Sequence, residues 1–458
     1  MALRDALFPT WHRSASASEP LPIAGGVAEP RARPALYVWI VRVARIGLTI
    51  GLAVCAGDVA RRGVAEWFYD RQTIEGLRRA VLWVPESARY RAALADALEN
   101  SPLEGDPREA IRLSEEATHL EPLGARYWAR LGAAYEAGGR PADARQAYER
   151  ALVLYPRSPE MNWRLGNFLL RQDDTARALA AFRTVVIGSP AMRRAVYQTA
   201  WGATEDSKQI LDGMIPPKPE ILLDYLRYLL DTQRLDAARD VWWRMRDGGI
   251  PVEQDEAFRY LDALLAAQRM EDAIAAWEAL ANRAPALYAA HHRSGNRVTN
   301  GGFETGVLGG GLDWRLGPVE GATARVTTGD AFEGARCLEI DFAGTDNLEY
   351  SQVFQLVPVE PATRYLFTAR VRAKEISSDS GPRFLLRDSR DDRLLRAETS
   401  AVLGSTAWTE VRLEFRTSPS TRLLDVHLVR PRSRKLDGRI GGTLWVDDVR
   451  VVALAPTP

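Results

Sequence analysis

Residues 125–158 read ARYWARLGAAYEAGGRPADARQAYERALVLYPRS, and this stretch decides the fold. Trp128, Leu131 and Tyr135 recur at helical spacing and line one face. Gly132 and Ala144 are small where two helices must approach closely. Gly138-Gly139 ends a first helix, and Pro156 follows a second. The stretch predicts a helical hairpin with one apolar face, a unit that needs neighbours to bury that face.

The pattern recurs on both sides. Downstream, Leu165, Gly166, Leu169, Ala178, Phe182, Val185 and Pro190 repeat it after 34 residues. Upstream, Tyr90, Ala93, Leu94 and Ala97 open a copy whose second half is Ala110, Ser114, Ala117 and Pro122, with a turn lengthened over Asn100–Pro107. Residues 219–252 carry Leu222, Tyr225, Leu226, Leu229, Ala238, Trp242 and Met245. Residues 254–287 carry Tyr260, Leu261, Leu264, Ala273, Trp277, Leu280 and Pro285. Only 193–218 fits poorly, because Met214-Ile215-Pro216-Pro217 stands where a second helix belongs. Two blocks with an irregular joint are expected.

Trp128, Leu131, Gly132, Tyr135, Ala144, Tyr148, Ala151 and Pro156 stand at tetratricopeptide spacing, and residues 61–290 resemble that family. The resemblance implies an α-solenoid whose first helices line a concave groove for a peptide or protein partner. Candidate groove residues are Arg126, Arg130, Trp163, Arg164, Asn167 and Arg227. Members that clamp a C-terminal carboxylate carry Lys and Asn where this chain has Ala129 and Ala133, so that ligand is not expected.

Toward the N-terminus the composition changes twice. Residues 1–34 are rich in Pro, Ser and Ala without periodicity, which predicts a disordered tail. Residues 35–57 read ALYVWIVRVARIGLTIGLAVCAG, against roughly 20 residues needed to span a bilayer. Arg42 and Arg45 share one face and can snorkel to an interface, where Tyr37 and Trp39 also belong. The favoured reading is an uncleaved transmembrane helix. A buried soluble helix and a late signal peptide, with Ile46–Val54 as its apolar core, are the alternatives. Residues 1–60 hold 6 basic and 4 acidic groups, which favours a cytoplasmic tail and C-terminal domains on the far side.

Toward the C-terminus, helical periodicity stops near Tyr288 and gives way to period two. Gln352–Val357, Tyr365–Val371, Val411–Phe415 and Leu424–Val429 alternate or run apolar, separated by Pro, Gly and Asp/Ser clusters. Short strands over residues 300–458 predict a β-sandwich. The opening Asn300-Gly301-Gly302-Phe303-Glu304 and the closing Trp445-Val446-Asp447-Asp448-Val449 resemble the ends of jelly-roll carbohydrate-binding modules. That resemblance implies polysaccharide binding, with Trp314, Arg315, Asn347, Tyr350 and Arg387 as candidate sugar contacts. It also implies a structural calcium, for which Glu304, Asp447 and Asp448 offer hard oxygen ligands; surface hydrogen bonding is the equal alternative. Trp408 and Trp445 are expected in the core. The basic run Arg430–Lys435 is expected to be a solvated loop, with an acidic polysaccharide as the sharper alternative.

Charge and cysteine content exclude several classes. Lys+Arg and Asp+Glu are both 60, so formal net charge is zero; four of the bases are Lys, and the rest are Arg. A general nucleic-acid binder needs a basic excess, and none is present. Two cysteines, Cys55 and Cys337, cannot build a disulfide framework or a Cys-based zinc site. His291-His292 has no further ligand spacing, and Asp391-Asp392 has no across-substrate geometry. Gly309–Gly311 lacks the strand and helix of a phosphate loop. The order of modules predicts an α then all-β multidomain chain. It is similar to bacterial inner-membrane proteins of exopolysaccharide or O-antigen assembly, single-pass with periplasmic domains. A non-enzymatic adaptor is the favoured function. A glycan hydrolase with a catalytic sandwich, and a purely protein-binding scaffold, are the rivals.

Overall fold

A computed structural model describes residues 35–101, 103, 105–283, 295–436 and 438–455, with side chains from residue 39 onward. The predicted tail over 1–34 and residues 284–294, which hold Pro285, Tyr288 and the His291-His292 pair, lie outside the described residues. The chain divides into two compact units, Met1–Ala147 and Tyr148–Pro458.

The helices come in antiparallel pairs. In the first unit, α1 (Ala35–Tyr69) runs on well past the apolar stretch and pairs with α2 (Ile74–Trp83). Then come α3 (Ala88–Asn100) with α4 (Pro107–Leu120), and α5 (Ala125–Ala137), followed by α6 (Pro141–Leu154), within which the two units divide. The second unit continues with α7 (Pro159–Arg171) and α8 (Thr175–Gly188), α9 (Arg193–Ala203) and α10 (Ser207–Gly213), α11 (Pro219–Asp231) and α12 (Leu235–Asp247), and α13 (Gln254–Ala266) and α14 (Met270–Arg283).

Local chemistry sets these boundaries. Ser87, Asp106, Ser158 and Asp174 accept backbone N–H groups at helix N-termini. Gly139, Asp173, Gln233 and Gln268 all have φ between 56° and 70°, and each is followed by an N–H bonded five residues back, as Arg140 N to Tyr135 O. This left-handed stop ends the first helix of four pairs, α5, α7, α11 and α13, and is one turn used repeatedly. Gly166 supports the register: a Cβ there would lie 2.3 Å from Phe182 Cε1, so the two helices of that pair meet where only glycine fits. The poorly fitting stretch 193–218 is itself a helical pair. Its second member is cut to seven residues, and Met214 and Ile215 are buried beyond it, before Pro216-Pro217.

The remaining elements are all strands: β1 (Arg315–Leu316), β2 (Ala322–Thr328), β3 (Arg336–Ala343), β4 (Tyr350–Pro358), β5 (Arg364–Ile376), β6 (Arg383–Asp388), β7 (Arg396–Glu398), β8 (Gly404–Arg416), β9 (Leu423–Arg430) and β10 (Gly441–Ala453). They form two antiparallel five-stranded sheets, ordered β1-β4-β9-β6-β7 and β2-β3-β10-β5-β8. Alternate residues such as Val353, Val357, Tyr365, Phe367, Val426 and Leu428 face one another in a single core. The two terminal motifs meet. Val449 N donates to Gly301 O (2.9 Å), and a Cβ on Gly301 would lie 2.1 Å from Val449 O.

Candidate functional site

The predicted groove arginines of the repeats are engaged with acids. Arg130 pairs with Asp96, joining α5 to α3. Arg227 pairs with Glu256 (2.5 Å), joining α11 to α13, and Arg259 of α13 returns to Asp231 of α11 (2.5 Å). Arg164 pairs with Glu160 on its own helix (3.4 Å). Arg126 donates to Tyr127 Oη (2.6 Å). Trp163 packs on Phe182 of α8 with ring centroids 5.4 Å apart, and Asn167 donates to Trp163 O (2.8 Å). These side chains therefore join neighbouring helices or bond within their own, and a partner would meet compensated pairs rather than bare guanidinium groups.

The five sugar-contact candidates do not form one site. Trp314 is fully buried, packs at a tilt on Phe303 with ring centroids 5.3 Å apart and donates Nε1–H to Asn300 O (3.2 Å). Tyr350 is also buried, edge-on to Phe342. Both rings are core: alternation along β4 turns Tyr350 inward, and Trp314 lies in the loop that leads into β1. Asn347 accepts from Arg430 Nη1 (2.7 Å) and Ser433 N (2.9 Å), fixing a fully buried arginine that also donates to Ser380 O and Gly438 O. Arg430 thus leaves the predicted solvated run, and burial lowers its guanidinium from the ordinary value. Arg387 donates to Asp425 Oδ2 (2.9 Å), whose Oδ1 lies 2.8 Å from His427 Nε2. Arg315 pairs with Asp262 of α13 (3.1 Å).

Arg315 belongs to a wider contact of the first sheet with the last helical pair. A Cβ on Gly310 or Gly311 would strike Phe258 or Trp277, each at 2.4 Å. Arg390 donates to Gln268 O (3.1 Å), and both Arg390 and Arg422 lie 3.6 Å from Glu271. The Gly309–Gly311 stretch, which has no phosphate-loop context, is therefore a close packing surface. Asp391-Asp392 sits in the neighbouring turn, where Asp391 accepts from Arg393 N and Asp392 pairs with Arg396 (2.8 Å).

The terminal acids bind a loop. Glu304 Oε1 accepts from Ala335 N (2.8 Å) and Arg336 N (3.0 Å). Gly334 at φ 77° permits this, since a Cβ there would lie 2.3 Å from the same oxygen. Asp447, fully buried, accepts from Phe332 N (2.8 Å) and Glu333 N (3.1 Å) through Oδ2, and from Asp448 N (2.7 Å) through Oδ1. Burial raises its carboxyl above the usual range despite these donors. Asp448 pairs with Arg450 (2.5 Å). Among the described residues no three Asp, Glu, His or Cys side chains gather to hold a metal ion. The oxygens of Glu304 and Asp447 take backbone N–H groups, which present the same positive end that a cation would.

The pinned loop delivers aromatic surface that the sequence reading missed. Phe332 is 42% exposed on the outer face of the second sheet. Its ring stands 5.9 Å from Trp408, edge-on, with the Arg370 guanidinium 4.6 Å above it. Beside it, Trp445 lies under Arg372 (4.4 Å) and donates to Glu339 Oε2 (2.9 Å). Trp408, expected in the core, faces outward and is half-buried; Trp445 lies on the outer face of its strand but is buried there, under Arg372. On β10 the inner positions are Leu444 and Val446, so the parity of Trp445 was legible. The place of Phe332 was not, because it sits in a loop without periodicity.

The tetratricopeptide repeat family model matches residues 104–159 and 135–193. No curated protein matches the chain. Among solved structures, MamA is similar at 18% identity and a TM-score of 0.28, over 36% of this chain and 88% of that one. A family 16 carbohydrate-binding module is similar at 16% identity and 0.26, over 34% of this chain and 99% of that one. A carbohydrate-binding module solved in complex with β-1,4-galactotriose is similar at 17% identity and 0.25, over 35% of this chain and 99% of that one.

Proposed function

We propose that this chain is a membrane-anchored, non-enzymatic scaffold that holds a protein partner on its helical repeats and a polysaccharide on its sandwich. Anchoring rests on α1, whose apolar part from Trp39 to Gly57 is left uncovered by the rest of the chain. The protein partner rests on the tetratricopeptide match and on the paired helices that carry it. One observation carries the polysaccharide reading: Phe332, on a loop held by a buried carboxylate, forms an aromatic shelf with Trp408 of β8 and Arg370 of β5. An aromatic face stacks on the apolar face of a sugar ring, while adjacent Arg and Glu side chains meet its hydroxyls. A rigid loop loses little freedom on binding, which favours affinity. The location that accompanies this reading is a bacterial inner membrane crossed once, with the repeats and sandwich on the periplasmic side. Exopolysaccharide or O-antigen assembly is the process it fits.

A glycan array with the detergent-solubilised full chain tests the reading. Binding to a polysaccharide class, lost in Phe332→Ala and in Trp408→Ala with an unchanged melting curve, is the expected result. Binding that survives both substitutions moves the site elsewhere. Release of reducing ends from the bound glycan replaces the scaffold with a hydrolase.

A further inference from the structure

The first helical hairpin carries an exposed apolar tip whose level along α1 is fixed by contacts. α2 folds back along the last turns of α1, burying Ala65 of α1 with Ala80 and with Val84 just beyond α2. Arg61 of α1 donates to Trp83 O (3.4 Å) and pairs with Glu86, so the end of α2 stands level with Arg61. There Leu82 is 79% exposed and Trp83 46% exposed. Arg61 lies about 6 Å along the helix beyond Gly57, where the apolar stretch ends. From Trp39 to Arg61 the helix rises about 33 Å, close to the ~30 Å hydrocarbon core of a bilayer. Trp39, 65% exposed, and Trp83 thus stand one bilayer thickness apart, where interfacial aromatic belts lie.

The charges beside the tip are compensated. Asp58 pairs with Arg61 and with Arg62, both at 2.7 Å, and Glu86 takes the other side of Arg61. Nothing there selects an anionic surface, so apolar insertion must supply the attraction. We propose that Leu82 and Trp83 dock into the interfacial layer of the membrane that α1 crosses, holding the first helical hairpin against the lipid surface. This rests on the membrane-anchored reading above and adds a second contact to it.

Site-directed spin labelling of the full chain tests both. Nitroxides are placed singly at Leu82→Cys, Leu48→Cys and Leu123→Cys in a Cys55→Ala background; Cys337 is buried and all three leucines are exposed. In phosphatidylcholine vesicles, the ratio of oxygen to aqueous nickel-chelate accessibility at 82 is expected to be several-fold above that at 123. Adding phosphatidylglycerol should leave it unchanged. A label at 82 as nickel-accessible as that at 123, with 48 still in hydrocarbon, overturns the docking and leaves the anchor. A nickel-accessible label at 48 overturns the anchor and the docking together. Protection at 82 that appears only with phosphatidylglycerol overturns the apolar basis of the contact.

Discussion

The helical repeats and the sandwich place their important residues by different rules. In the repeats, a sequence position recurs as a structural position. Gly166 lies against Phe182, and left-handed turns fall at Gly139, Asp173, Gln233 and Gln268. Stability is spread over such contacts between neighbours. In the sandwich, first and last motifs separated by most of the domain build one core and one pinned loop. A residue's role there depends on which face its strand presents, and one step along a strand reverses it.

Five measurements can break or sharpen that contrast. The largest effect is expected at Trp314→Ala, which removes a fully buried ring and one of the two donors to Asn300 O; about 3–5 kcal/mol should be lost, read as a fall in the denaturation midpoint. A small loss would mean that the core does not depend on the opening motif. Next, Gly166→Ala should cost about 1–3 kcal/mol by forcing Phe182 aside. If the melting temperature is unchanged, the repeat register is wrong.

Acidity should act on the sandwich through Asp313, whose Oδ1 has no hydrogen-bond partner while Oδ2 accepts from Leu308 N (2.7 Å). Burial pushes this carboxyl up to about 6, above its unfolded value of 3.8. Its contribution to stability is therefore full below pH 3.8 and is lost as pH rises through about 6. Asp313→Asn should flatten that part of the pH profile of the melting temperature; an identical slope in the variant would place the titration elsewhere. In the repeats, Arg227→Ala removes an exposed side chain from its pair with Glu256 and should cost about 1 kcal/mol or less. A loss like that at Gly166 would show that the ion pairs, not the small-residue contacts, join the helices. The smallest effect is expected from calcium. If backbone N–H groups occupy Glu304 and Asp447, millimolar calcium should shift the melting temperature by no more than about 1 °C relative to chelator. A rise of several degrees would restore an ion to the ends of the sandwich.

The sequence by itself determined the order of modules, the period of the repeats and the apolar helix. Each of these is written in local spacing: 3.6 residues per turn, alternation of two, or a run long enough to span. It also marked Glu304 and Asp447 as paired features of the two termini, although not what they hold. Tertiary structure alone decided which of the aromatic rings in loops are buried and which face outward. Trp314 is buried because the loop after Phe303 folds inward, and Phe332 is exposed because Asp447 binds its backbone from a strand more than a hundred residues later in the chain. It also decided that 193–218 is a shortened helical pair and that Arg315 meets Asp262. Those outcomes depend on contacts between distant segments, and local spacing carries no record of them.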